Sequence, residues 1–279
     1  MPELPEVETI RRDLAAGLPG ARVESVWTSG KPLRLARPLD RRALLDACVG
    51  RRFAPPRRRG KYLLLDVEGG HVVVVHLGMS GCLRLAPAGE ARLPHTHVVW
   101  RLDGGRELRF VDPRRFGFVR AARRDREAQL AELARLGPDP LDAGFTPGYL
   151  RARARATARG LKTFLLDQSV VAGLGNIYVA EALFEARIHP GTKANRLSQA
   201  RAATLRDAIL TVLSRSLGNR GTTLRDYVDA EGEAGRNQHH LRVYGRDGEP
   251  CLRGDGGRVR RVVTQGRSTF YCPSCQRRS

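Results

Sequence analysis

Four stretches of this sequence combine residue types that do chemistry. The first is MPELPEVETI (1–10), which sets Pro2 beside Glu3, Glu6 and Glu8 in a chain whose formal net charge is +20. Helix chemistry accounts for part of it. Carboxylates favour the positive end of a helix dipole, and proline fits the first helical turn, where its missing N–H has no partner to lose. The second is LKTFLLDQSVVAGLGNIYVAEALFEARIHP (161–190), read as helix, glycine-containing turn, helix. Asn176 is placed as N-cap of the second helix, and Gly173 and Gly175 let backbone approach a ligand closely. Exposed N–H groups at a helix start suit a phosphate. An ordinary capped helical hairpin explains the same residues, and the excess positive charge favours phosphate.

The third stretch is FVDPRRFG (110–117), in which Asp112-Pro113 marks a turn and Arg114, Arg115 and Phe116 project from its tip. An arginine beside an aromatic suits insertion into a base stack, where unstacking costs on the order of a few kcal/mol that a wedge must offset. HLGMSG (76–81) offers a second tip, with Met79 between two glycines. A plain hairpin turn explains either tip singly; two on one basic domain are harder to dismiss. The fourth stretch, GEPCLRGDGGRVRRVVTQGRSTFYCPSCQ (248–276), ends in Cys272-Pro-Ser-Cys275, half of a zinc ribbon. Its other half should read C-x-x-C, yet Cys251 is followed three residues later by Gly254, and Asp255 is the only nearby residue able to supply the missing ligand. A hairpin held by its own core is the competing reading.

These stretches need elements to carry them. A helix is expected over residues 3–16, followed by β-structure: YLLLDV (62–67), HVVVVHL (71–77), CLRL (82–85), HVVWRL (97–102) and ELRFVD (107–112), then FGFVRAA (116–122). Apolar runs punctuated by glycine, with a hairpin signal at Asp103-Gly104-Gly105, predict an antiparallel sandwich. EAQLAELARL (127–136) has helical spacing. Further helices are expected over 149–158, 161–168, 177–186 and 197–217, and short strands from about 241. The expected division is a β-sandwich domain (1–136), a Pro/Gly-rich linker (137–148), a helical domain (149–240) and a C-terminal hairpin (241–279), an α+β protein overall.

The 279 residues carry 49 Lys and Arg against 29 Asp and Glu, which predicts a polyanionic partner, most simply nucleic acid. Only Lys31, Lys61, Lys162 and Lys193 are lysines. Each surviving lysine therefore points to a place where a titratable amine serves and a guanidinium would not. Cys48 and Cys82 sit in or near apolar stretches and read as core thiols. No run of about 18 apolar residues exists, which excludes a transmembrane helix, and the acidic N-terminus does not resemble a signal peptide, so a cytoplasmic protein is expected. Nothing calls for oligomerisation, and a monomer is the default.

The motifs together resemble the bacterial formamidopyrimidine-DNA glycosylases, bifunctional base-excision enzymes with a helix–two-turn–helix domain. The resemblance runs from PELPEVET (2–9) through RGKYLLL (59–65), HLGMSG, PHTHV (94–98), DPRRFG, LLDQ…GLGNIYVAEALF and RVYGR (242–246) to GRSTFYCPSCQ (266–276). Leu4 favours this branch over the endonuclease VIII branch, which begins PEGPE. The resemblance implies that Met1 is removed and that the secondary amine of Pro2 attacks C1′ of the damaged nucleotide. It implies a general acid/base role for Glu3, a positioning role for Glu6, and a lesion-phosphate contact with proton donation for Lys61. Lys162, Asn176 and Arg267 match phosphate contacts, Arg267 also assisting the second elimination. Met79, Arg114 and Phe116 match residues that fill the void of the flipped base; His95 matches a DNA-contacting histidine, and Glu181 a structural acid. Double-stranded DNA carrying oxidised bases would be the partner. Zinc would sit at Cys251, Cys272 and Cys275, with Gly254 where the family has a cysteine.

Two departures stand out: that missing cysteine, and Gly235-Arg236-Asn237-Gln238-His239-His240, where the family usually carries an aromatic before the glutamine. The expected activity is therefore a glycosylase/AP lyase for 8-oxoguanine and formamidopyrimidines. An endonuclease VIII-like enzyme for oxidised pyrimidines and a non-catalytic damage-binding protein are the alternatives.

Overall fold

A computed structural model describes residues 1–33 and 39–278, and the chain divides into two compact units. The first comprises Met1–Ala134 and Asn219–Gln238. It opens with α1 (Leu4–Gly17), continues through β1 (Val23–Thr28) and α2 (Arg41–Cys48), and then runs β2 (Arg57–Arg59), β3 (Tyr62–Val67), β4 (His71–His76), β5 (Cys82–Pro87), β6 (Thr96–Leu102), β7 (Arg106–Val111) and β8 (Phe118–Arg123). Two four-stranded antiparallel sheets result, ordered β1-β6-β7-β5 and β2-β3-β4-β8. One core joins them: Leu63, Leu65, Val73 and Val75 of one sheet meet Val98, Trp100, Leu108 and Phe110 of the other, with Val7, Ile10 and Leu14 of α1. The alternation of β-branched residues along the strands aims one set of side chains into this layer.

The second unit comprises Arg135–Gly218 and His239–Ser279, described to residue 278. Its helices are α3 (Pro147–Arg155), α4 (Leu161–Leu166), α5 (Asn176–Glu185) and α6 (Gln199–Gly218), followed by the hairpin of β9 (Arg260–Thr264) and β10 (Arg267–Tyr271). Residues Ile177–Phe184 of α5 are all buried, as expected for a helix apolar around its whole circumference. A small separate cluster of Ala180, Phe184, Val243, Cys251, Val259, Phe270 and Cys272 underlies the hairpin.

The structure corrects several readings. EAQLAELARL forms no α-helix: a 3₁₀ segment at Arg124–Gln129 gives way to turns. Glu127 and Glu132 are drawn to Arg57 and Arg120 of the sheet, and these tertiary contacts override a helix-favouring composition. Strands β1 and β2 and helix α2 were not legible in the sequence, being short and rich in arginine or polar residues. The segment 219–238, assigned above to the helical domain, groups with the sandwich, where Tyr227 and Ala230 join its core and Arg220 pairs with Asp13. No helix of the described residues is long and apolar enough to cross a membrane.

Candidate nucleic-acid-processing site

Within the first unit, the start of α1 gathers the acidic cluster. Pro2 is buried, and Glu3 and Glu6 are 2 % and 1 % exposed. Glu3 is the N-cap and forms a capping box with Glu6, whose Oε2 accepts the Glu3 backbone N–H at 2.7 Å. The other oxygen of Glu6, Oε1, accepts the backbone N–H of Thr222 at 2.7 Å. Glu6 therefore ties the helix start to a segment more than two hundred residues away in the chain, which local sequence could not show. Lys61 is 7 % exposed and occupies the two-residue turn Gly60-Lys61 between β2 and β3.

The two tips are knitted together. Asp112, fully buried, accepts from Ser80 Oγ at 2.7 Å and from the backbone N–H of Gly117 at 2.8 Å, and its own N–H donates to the His95 carbonyl at 3.0 Å. Gly78, at φ +63°, presses its Cα side against the Phe116–Gly117 backbone. Met79 stays 38 % exposed, Arg114 is exposed, and its guanidinium lies 4.7 Å from the centre of the half-buried Phe116 ring. His95 is exposed, at φ +65°. The structure thus carries Met79 on one turn, Arg114 and Phe116 on a second, and His95 on a third that its carbonyl ties to Asp112. Ser80 was not identified from the sequence; nothing local distinguishes it from an ordinary turn serine.

In the second unit, Asn176 departs from expectation. Gly175 is the N-cap of α5, and Asn176 is its first helical residue; its Nδ2 donates to the Ser268 carbonyl at 3.0 Å. Gly175 has the extended backbone usual at an N-cap and offers no capping side chain, and the Asn176 amide is spent on Ser268 rather than on the helix start. Lys162, 2 % exposed, sends its ammonium to the same Ser268 carbonyl at 2.7 Å and to Thr269 Oγ1 at 2.6 Å. Burial, followed by the charge of Arg267, brings the Lys162 pKa down to about 8. Arg267 itself is exposed and opens β10 directly after the two-residue turn Gln265-Gly266, both at positive φ. Arg159, Lys162, Asp167 and Arg267 line an open cleft of about 300 Å³. Glu181, 1 % exposed, accepts the backbone N–H groups of Arg242, Val243 and Tyr244, a structural anchor for the RVYG turn.

The formamidopyrimidine-DNA glycosylase N-terminal domain matches residues 1–119, and the H2TH domain of the same enzymes matches residues 136–228. The chain belongs to the formamidopyrimidine-DNA glycosylase family. Formamidopyrimidine-DNA glycosylases of Desulforamulus reducens and Herpetosiphon aurantiacus are 45 % and 46 % identical to it, covering 99 % of this chain and 99 % and 100 % of theirs. A crystal structure of the wild-type Lactococcus lactis enzyme with DNA containing N7-benzyl-Fapy-dG is 33 % identical, with a TM-score of 0.90 over 99 % of this chain and all of that one. The Lactococcus lactis enzyme with abasic-site DNA superposes equally well, at 0.90 with the same coverage.

Set against the family's four-cysteine finger, the hairpin of this glycosylase family member brings together Cys251, Asp255, Cys272 and Cys275, with one donor atom from each within 4.8 Å of the others. Asp255 Oδ2 lies 3.3 Å from Cys251 Sγ and 3.5 Å from Cys272 Sγ. Zinc–sulfur bonds of about 2.3 Å and zinc–oxygen bonds of about 2.0–2.2 Å at tetrahedral angles separate sulfur and oxygen by about 3.5 Å. The donor set therefore fits a tetrahedral metal ion. Gly254, at φ +68°, holds a left-handed conformation that disfavours a side chain, and the carboxylate that completes this group belongs to the next residue, Asp255.

Proposed function

We propose that this protein excises oxidised purines, 8-oxoguanine and formamidopyrimidines, from double-stranded DNA and cleaves the resulting abasic site by β,δ-elimination. The observation that carries this reading is the buried start of α1, where Pro2 and Glu3 stand together, with Glu6 locked by two backbone N–H groups. Damage binding alone requires none of these groups.

After removal of Met1, the Pro2 amine has an unperturbed pKa of about 7.7–8.0 for an α-amino group, so a substantial neutral fraction attacks at physiological pH. Its nitrogen forms a bond to C1′ as the N-glycosyl bond breaks and the base leaves with the bonding pair. The nitrogen then loses its proton, the C1′–O4′ bond breaks as Glu3 protonates O4′, and the iminium formed by this ring opening has no N–H to lose and stays charged, an electron sink for eliminating the flanking phosphates. Glu3 gives and takes protons at the sugar, and Glu6 orients the helix start. Lys61 contacts the lesion phosphate. Met79, Arg114 and Phe116 fill the space left by the flipped base, with His95 at their flank. Lys162, Asn176 and Arg267 bind phosphate, Arg267 also assisting the second elimination.

A zinc ion would be held by Cys251, Asp255, Cys272 and Cys275 and would cross-link the hairpin. The enzyme works as a monomer, in the cytoplasm with its DNA. The test is borohydride trapping on a duplex with one 8-oxoguanine opposite cytosine, comparing wild type with Pro2→Gly. A covalent adduct that the variant loses is the expected result. An adduct on abasic DNA alone would redirect the lesion assignment, and none on either would overturn the enzyme reading.

A further inference from the structure

Two of the three glutamates near the N-terminus have places in the reading above; Glu8 has none. It is 6 % exposed, and both its oxygens are engaged. Oε1 accepts from Arg11 Nη2 at 2.8 Å and Arg12 Nε at 2.9 Å; Oε2 accepts from Arg11 Nε at 2.9 Å and Arg58 Nε at 3.0 Å. Arg11 and Arg12 are neighbours on the same helix, as any surface ion pair at this spacing would be. Arg58 is different. It comes from β2, fifty residues along the chain, and both partners of this pair are only 8 % exposed.

The same guanidinium reaches onward. Arg58 Nη1 donates to the Gly60 carbonyl oxygen at 3.0 Å. Gly60 and Lys61 are the central residues of the β2–β3 hairpin, whose closing pair is Arg59 and Tyr62. Gly60 has φ +57° and Lys61 a negative φ, the signs of a type II′ turn. That carbonyl belongs to the planar peptide unit joining Gly60 to Lys61, so a hydrogen bond that holds its oxygen also holds the plane from which Lys61 departs. An unbroken chain of contacts thus runs from α1 through Glu8 and Arg58 to the backbone of Lys61.

We infer that Glu8 is a positioning residue which, by clamping Arg58 against the Gly60 carbonyl, keeps the Lys61 turn in a fixed relation to the helix that starts beside Pro2. This rests on the proposed roles of Pro2 and Lys61. Burial resists ionisation of Glu8, but hydrogen bonds from Arg11 and Arg58 outweigh it and bring its pKa to about 2. The clamp is therefore charged at every working pH. A guanidinium suits this post because its fork serves a carboxylate and a carbonyl together, which an ammonium on a flexible stem does not.

The test is a double-mutant cycle on single-turnover excision from the 8-oxoguanine duplex, with Glu8→Gln, Lys61→Ala and both together. Glu8→Gln keeps the volume and removes the charge. It should slow excision about tenfold when Lys61 is present and less than about twofold when Lys61 is already alanine, since a misplaced group matters only while that group acts. Equal losses in both backgrounds, or no loss in either, would overturn the inference. Thermal melts accompany the cycle. Should Glu8→Gln fail to fold, Arg58→Lys replaces it, with the same dependence on Lys61 expected and the same outcomes overturning it. Wild-type protein that forms no borohydride adduct on oxidised or abasic duplexes would sink the catalytic reading and this inference together; a trapping wild type with additive losses sinks the positioning role alone.

Discussion

Replacing Gly78 by alanine tests whether the two turns proposed to face DNA act as one unit. A Cβ at this position would lie 2.4 Å from both the Gly117 nitrogen and the Phe116 carbonyl carbon, and 2.8 Å from the Phe116 oxygen. All three are backbone atoms, so no side chain can swing aside. Reaching the 3.0 Å floor of real Cβ contacts requires the turns to part by about 0.6 Å. Alanine at φ +63° adds a left-handed strain of roughly 1–2 kcal/mol, and overpacking adds roughly 1–3 kcal/mol more. A total of about 3 kcal/mol corresponds to a melting temperature lowered by roughly 6–12 °C in a unit of this size. The functional consequence is larger than the displacement suggests, because Met79 and Phe116 sit on opposite sides of the forced gap. Single-turnover excision from an 8-oxoguanine duplex should fall by about 10- to 100-fold. Borohydride trapping on an abasic duplex, which has no damaged base to hold out of the stack, should fall less. An alanine variant with unchanged melting temperature and unchanged excision would refute the close packing of the two turns.

Two further outcomes follow from the second unit. Asp255→Ala should lower the zinc content of the purified protein well below the wild-type value, whereas Asp255→Cys should retain the metal; elemental analysis and chelator-monitored release read both, and equal zinc in the alanine variant would rule out Asp255 as a ligand. Lys162 titrates at about 8 in the folded protein against 10.5 for an unperturbed lysine, so between those values the unfolded chain binds the extra proton. Stability should then rise with pH from about 8 to about 10.5, the penalty being fully present below 8. Urea midpoints of wild type should climb over that window relative to Lys162→Met, in which the step is absent; a constant difference would contradict the burial of the ammonium.

Much of this protein was legible in its residue order. The apolar runs of β3, β4, β6 and β7 and the helix from Leu4 carry their own periodicity, because side-chain alternation and helical spacing are properties of near neighbours. The chemical vocabulary was equally local: a proline followed by glutamates, the Cys-Pro-Ser-Cys pair, a glycine-rich turn before a helix, and the excess of arginine over acidic residues. What neighbours could not encode was which distant groups meet. Glu6 reaches Thr222, Asp112 reaches both Ser80 and the His95 carbonyl, and Lys162 and Asn176 converge on Ser268. These meetings follow from how the sheets and helices pack. The same packing ended the helix expected at 127–136, where carboxylates found arginines on the sheet, and moved 219–238 onto the sandwich. It also brought Asp255, which the sequence already offered as the substitute for the missing cysteine, together with three cysteines. Residue type and short spacing determined which chemistry this chain can carry; long-range packing alone decided which of those groups stand within hydrogen-bonding distance of one another.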